Sequence, residues 1–104
     1  MTTAPAEICT TAARLIGGER DQVHGDYHKN LGNIAAFWNA YLYARFPVLG
    51  PSLTAQDVAQ LMALLKIART LTGRHNLDDY VDAAGYVGLA GAMADGALPC
   101  VVGV

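Results

Sequence analysis

Charge is scarce in this chain. Only 15% of its residues are Asp, Glu, Lys or Arg, while 53% are apolar; a typical soluble domain carries about 25% charged residues. A lone monomer would be short of charged surface, and large apolar patches rarely stay exposed, so burial between subunits is expected. The few charges are nearly balanced, 7 basic against 9 acidic, for a formal net charge of −2. That leaves no basic excess with which to bind a nucleic-acid backbone, and no acidic tail that would argue for disorder. Nor is there an apolar run of the roughly 18 residues that a membrane span needs. The opening, MTTAPAEICTTAARLIGG, lacks the basic start and long apolar stretch of a secretory signal, so the expected setting is the cytoplasm. Cysteine is sparse too. Cys9 and Cys100 stand near opposite ends, with no CxxC and no zinc-ligand spacing, and two free thiols are expected in a reducing compartment.

Helical periodicity, by contrast, is abundant. With 104 residues the chain fits one domain, 1–104, with an apolar tail from about residue 95. Ile8, Ala12, Leu15 and Ile16 recur at helical spacing from about Pro5 to Ile16, and Gly17-Gly18 is expected to stop that helix. A polar stretch, GGERDQVHGDYHKNLGN, follows. A second helix is expected over Asn30 to Arg45, with Leu31, Ile34, Ala35, Trp38, Tyr41 and Leu42 on one broad face. Pro47, Gly50 and Pro51 then enforce a loop. The third helix runs from Thr54 to about Thr72. Thr54-x-x-Asp57 caps it, Val58, Leu61, Met62, Leu65 and Ala68 form its apolar stripe, and Gly73 ends it in a left-handed turn. The fourth starts at Asn76 and reaches about Ala94. Asp78 and Asp79 lie in its first turn, where they complement the helix dipole. Apart from Asp82 this helix is apolar or small nearly all round, and Ala84, Gly88 and Ala92, four apart, make a strip that another helix can approach closely. The expected architecture is all-α: about four helices in an antiparallel bundle, oligomeric.

Three clusters carry candidate chemistry. His24-x-Asp26-x-His28 would place three metal-type ligands on one side of an extended segment; if the segment turns instead, Asp26 caps the following helix. Asp79 and Asp82 are three apart on one helical face, and carboxylates that close need a cation or a shared proton. Lys66 and Arg69 are also three apart, on the preceding helix. An antiparallel pairing of the two helices would set these cations beside the carboxylates. That composition suits a polyphosphate with Mg²⁺ held by Asp79 and Asp82, and Lys66, Arg69, His24 and Asp26 contacting a nucleotide.

The stretches ERDQVHGDYHKNLGNIAAFWNAYL and LTAQDVAQLMALLKIARTLTGRHNLDDYVDAAGY, with the following LAGAM, resemble a family of small phage and prophage proteins of unassigned function, over roughly residues 19–93. A more distant likeness is to MazG-type all-α nucleoside triphosphate pyrophosphatases, in which carboxylates on two helices hold magnesium. Asp79-Tyr80-Val81-Asp82 sits where their second motif, Glu-x-x-Asp, would be, with aspartate in place of glutamate. Their first motif, Glu-Glu-x-x-Glu, is missing; Lys66 and Arg69 stand on the helix that would carry it, and Glu19, Asp21 and Asp26 are the remaining acids upstream. The resemblance implies a phage-type protein that binds or hydrolyses a nucleotide with Mg²⁺. The low charge and the Ala/Gly strip point instead to a non-enzymatic module that oligomerises and binds a phage or host protein.

Overall fold

A computed structural model describes residues 3–19, 26–48 and 50–97. These form four α-helices: α1 (Pro5–Arg14), continued by a π-helical turn (Leu15–Glu19), α2 (Tyr27–Arg45), α3 (Ala55–Arg69) and α4 (Leu77–Ala97). Among the described residues there is no strand, and no helix is long and apolar enough to cross a membrane. The expected all-α architecture is the one observed. His24, Cys100 and the apolar tail beyond Ala97 lie outside the described residues.

Local chemistry fixes most helix ends. Pro5 occupies the first turn of α1, where its missing N–H costs nothing. The Asp26 carboxylate accepts from the backbone N–H of His28 at 2.8 Å, so α2 starts at Tyr27, three residues before the expected Asn30. Thr54 and Asp57 form a reciprocal capping box on α3: the Thr54 hydroxyl accepts from the Asp57 N–H, and the Asp57 carboxylate accepts from the Thr54 N–H at 2.8 Å. Gly73 carries φ 74°, the left-handed conformation that only glycine adopts cheaply. The Asn76 side chain then accepts from the Asp78 N–H at 3.1 Å to open α4.

One boundary departs from expectation. Gly17-Gly18 does not stop α1; the backbone widens into a π turn and carries on to Glu19. Glycine lowers helix propensity without forbidding the helix, and here a tertiary contact holds the turn. Ile16 lies against α4 where two glycines leave room: a Cβ on Gly85 would stand 3.3 Å from Ile16 Cγ2, and one on Gly88 3.6 Å from Ile16 Cδ1. Of the foreseen strip Ala84, Gly88 and Ala92, Gly88 thus receives the end of α1, together with Gly85 outside that strip, whereas Ala92 is exposed.

The closest packing is between α3 and α4; α2 lies on α3, and α1 lies on α4. The central apolar cluster draws on three helices: Leu31 and Ala35 of α2, Val58 and Ala59 of α3, and Ala90 and Met93 of α4, with Trp38 and Met62 packed against them. Asn39 ties the α2–α3 loop down. Its Nδ2 donates to the Leu53 carbonyl at 2.9 Å, and its Oδ1 accepts from the Leu53 N–H at 2.8 Å.

Two details of the expected core are corrected. On α3 the buried residues are Val58, Ala59 and Ala63, whereas Leu61, Leu65 and Ala68 are exposed. The helix is apolar on most sides, so small residues that allow close approach of α4, and not the largest ones, mark its inner face. On α2, Tyr41 points outward, while Leu31 and Ala35 are buried as expected.

Candidate functional site

The geometry joins four of the residues singled out in the sequence. Lys66 Nζ lies 3.2 Å from Asp82 Oδ2, and Arg69 Nε lies 3.3 Å from Asp79 Oδ1. The order of the pairs, rising along α3 and falling along α4, is the signature of an antiparallel hairpin. Since both members are three apart on their own helix, the two pairs also fix the register of one helix against the other. They differ in burial. The Lys66 and Asp82 side chains are each 16% exposed, whereas the Asp79 side chain is sealed in and Arg69 reaches into solvent. Asp79 additionally lies in the first turn of α4, where the helix dipole favours its charge.

The arrangement is an ion-pair clasp. Both carboxylates already face a cation of the protein, so Mg²⁺ would have to displace an ammonium or a guanidinium to reach them. Among the described residues, no group of three or more His, Cys, Asp or Glu side chains converges closely enough to hold a metal ion. The donor set therefore fits the clasp better than a cation site. Asp78, the third acid of the cluster, is exposed at the start of α4.

Asp26, by contrast, caps α2, and its neighbour Tyr27 packs on the central cluster. The His28 ring stacks on Tyr27, with centroids 5.2 Å apart. His24 lies outside the described residues.

A second feature went unread in the sequence. Beside the clasp, α1, α3 and α4 enclose an open groove of about 780 Å³. Ala84, Val87 and Gly88 of α4, Leu64 and Ile67 of α3 and Cys9 of α1 are among the residues that line it. Among the described residues that line it there is no Asp, Glu, Lys or Arg. Leu64 and Ile67 of α3 are exposed, as is Leu71 in the turn that follows. The signal for the first two was present, because a spacing of three marks one helical stripe. It was hidden by a competing stripe on the same helix.

Comparison with known proteins agrees with the phage-type resemblance. A family model described as "Domain of unknown function (DUF6378)" matches residues 7–94. The Gene 55 protein of Mycobacterium phage L5 is 42% identical over 86 residues, which are 83% of this chain and 51% of that protein. The Gene 55 protein of Mycobacterium phage D29 is 37% identical over 81 residues, 78% of this chain and 49% of that protein. The chain thus spans about half the length of the curated relatives it matches. No solved structure matches. The MazG-type likeness finds no support in these matches. With the family model covering most of the chain and both relatives coming from bacteriophages, this chain belongs to the DUF6378 family of phage proteins.

Proposed function

We propose that this chain is a phage-type protein-interaction module that acts by covering its apolar surface with another polypeptide. One observation carries the reading: large apolar side chains lie in the open on three helices. Leu71 is 81% exposed, Phe37 78% and Leu64 63%, with Tyr41, Tyr43, Ile67 and Val87 also outward. Monomeric proteins rarely leave such surface uncovered, and a partner removes it from water. The Lys66–Asp82 and Arg69–Asp79 pairs then serve to hold the α3–α4 hairpin in register beneath that surface.

The competing proposal is a nucleotide held by Lys66 and Arg69, with Mg²⁺ on Asp79 and Asp82. One experiment separates the two. A tagged chain is cross-linked in cells infected by a phage that encodes it, and captured proteins are quantified. Leu64→Glu with Leu71→Glu is expected to abolish the association, and Lys66→Met with Asp82→Leu to retain it. In parallel, nucleotides with Mg²⁺ are expected to leave the Tm of the purified chain unchanged. Association indifferent to the two glutamates, or a Mg²⁺-dependent nucleotide shift with pyrophosphate release, would overturn the reading.

A further inference from the structure

We infer that the outer face of α2 is the docking site for an acidic amphipathic helix of another protein. The inference rests on the reading of the chain as an interaction module, and it gives the chemistry of the partner at a face apart from Leu64 and Leu71.

Charge is unevenly spread along the chain. From Tyr27 to Gln56 there is no Asp or Glu, while Lys29 and Arg45 stand near the two ends of α2. This segment therefore carries +2 in a chain of net charge −2, and the remainder carries −4. Lys66 and Arg69 of α3 each face a carboxylate, whereas among the described residues neither Lys29 nor Arg45 has a carboxylate partner. Asp26, the acid nearest in sequence to α2, is committed to its cap. Arg45 lies instead over the ring of Phe46, 4.8 Å from its centroid. An acidic partner supplies the carboxylates that this segment lacks.

Surface relief selects a helix. α2 rests on α3 and turns its opposite face to solvent. There Lys29, Asn33, Phe37, Tyr41 and Arg45 follow one another at intervals of four, all exposed, with Phe37 at 78% and Tyr41 at 66%. Ala36, Ala40 and Ala44, also exposed, form the neighbouring row of four, and the exposed Tyr43 belongs to the row beyond it. Rows of four, one large and the next small, are the ridges and grooves by which two helices interdigitate. A lipid surface has no such period. The two cations, about 24 Å apart at 1.5 Å per residue, also fall short of the polybasic cluster that holds a protein on an anionic membrane. A second copy is disfavoured by charge: antiparallel α2 helices set Lys29 against Arg45, and parallel ones set each cation against its own kind.

The test uses the full chain in cells infected by a phage that encodes it. Phe37→p-benzoylphenylalanine places a photoreactive group on the exposed row, and the adduct is sequenced by mass spectrometry. The expected adduct is a peptide of another protein in which apolar residues recur at three and four and Asp and Glu outnumber Lys and Arg. Lys29→Glu with Arg45→Glu is expected to lower its yield at least about 10-fold, with unchanged helical circular dichroism of the purified chain, and Lys29→Arg with Arg45→Lys to retain it. Ala40→Leu, which fills the row of small residues, is expected to lower the yield similarly. An adduct to lipid or to a second copy, a basic peptide, no adduct, or a yield indifferent to the charge reversal would overturn the inference. Capture lost with Leu64→Glu and Leu71→Glu, together with no adduct at Phe37, would sink this inference and leave the broader reading. Capture indifferent to those two glutamates, with the Phe37 adduct intact, would do the reverse and confine the association to α2.

Discussion

Replacing Lys66 by methionine probes the clasp most directly. The substitution keeps the length of the side chain and its packing, and it removes the cation 3.2 Å from Asp82. Asp82 is one turn inside α4, beyond the first-turn positions where the helix dipole is strongest, and only 16% of its side chain meets solvent. Removing one partner of a fully buried pair costs about 3–5 kcal/mol. The residual exposure lets water relieve part of that, so about 2–3 kcal/mol is expected here. For a domain of this size that corresponds to a fall in Tm of roughly 10–20 °C. The double change Lys66→Met with Asp82→Leu removes both charges from the helix interface and is expected to recover most of the loss, since well-packed apolar replacements of buried pairs are neutral or stabilising. Urea denaturation with an unchanged m-value is the assay. A loss below about 1 kcal/mol for Lys66→Met, or a double variant less stable than the single one, would refute a pair that derives its importance from burial.

Three further outcomes follow from local geometry. Gly88→Ala, whose new Cβ meets Ile16 at an ordinary 3.6 Å, is expected to stabilise by about 0.5–1 kcal/mol through helix propensity, while Gly85→Ala, at 3.3 Å, gains less, as thermal melts of dilute samples would register. Asn39→Leu removes both hydrogen bonds to Leu53 and is expected to cost about 1–3 kcal/mol by urea denaturation. Gly73→Ala forces a Cβ into the left-handed region and is expected to lower stability by about 1–2 kcal/mol, with equal melting curves arguing against the assigned turn.

Some of this molecule could be read without coordinates, because the rules involved are local. Thr54 with Asp57, Asn76 and Gly73 announce helix ends through hydrogen bonds within three residues, and each is where the sequence places it. The meeting of Lys66 with Asp82 was legible for a related reason: two three-residue spacings on consecutive helices leave few antiparallel registers. What escaped depends on contacts between distant segments. The inward face of α3 is Ala59 and Ala63, not Leu61 and Leu65, because a helix apolar on most sides carries no phase in its periodicity. The passage of helix through Gly17-Gly18 depends on Ile16 finding Gly85 some seventy residues later. The grip of Asn39 on Leu53 depends on how the intervening loop folds back.

The attachment of α1 has a consequence of its own. It rests on α4, and the cluster formed by the other three helices takes no side chain from it. Detaching it would uncover Ala12, Ile16 and the α4 surface opposite, and the remaining hairpin and its neighbour would keep their shared interior. The N-terminal helix therefore forms an outer leaf with its own opening equilibrium, whose amides would exchange with solvent long before those of Val58 or Met93.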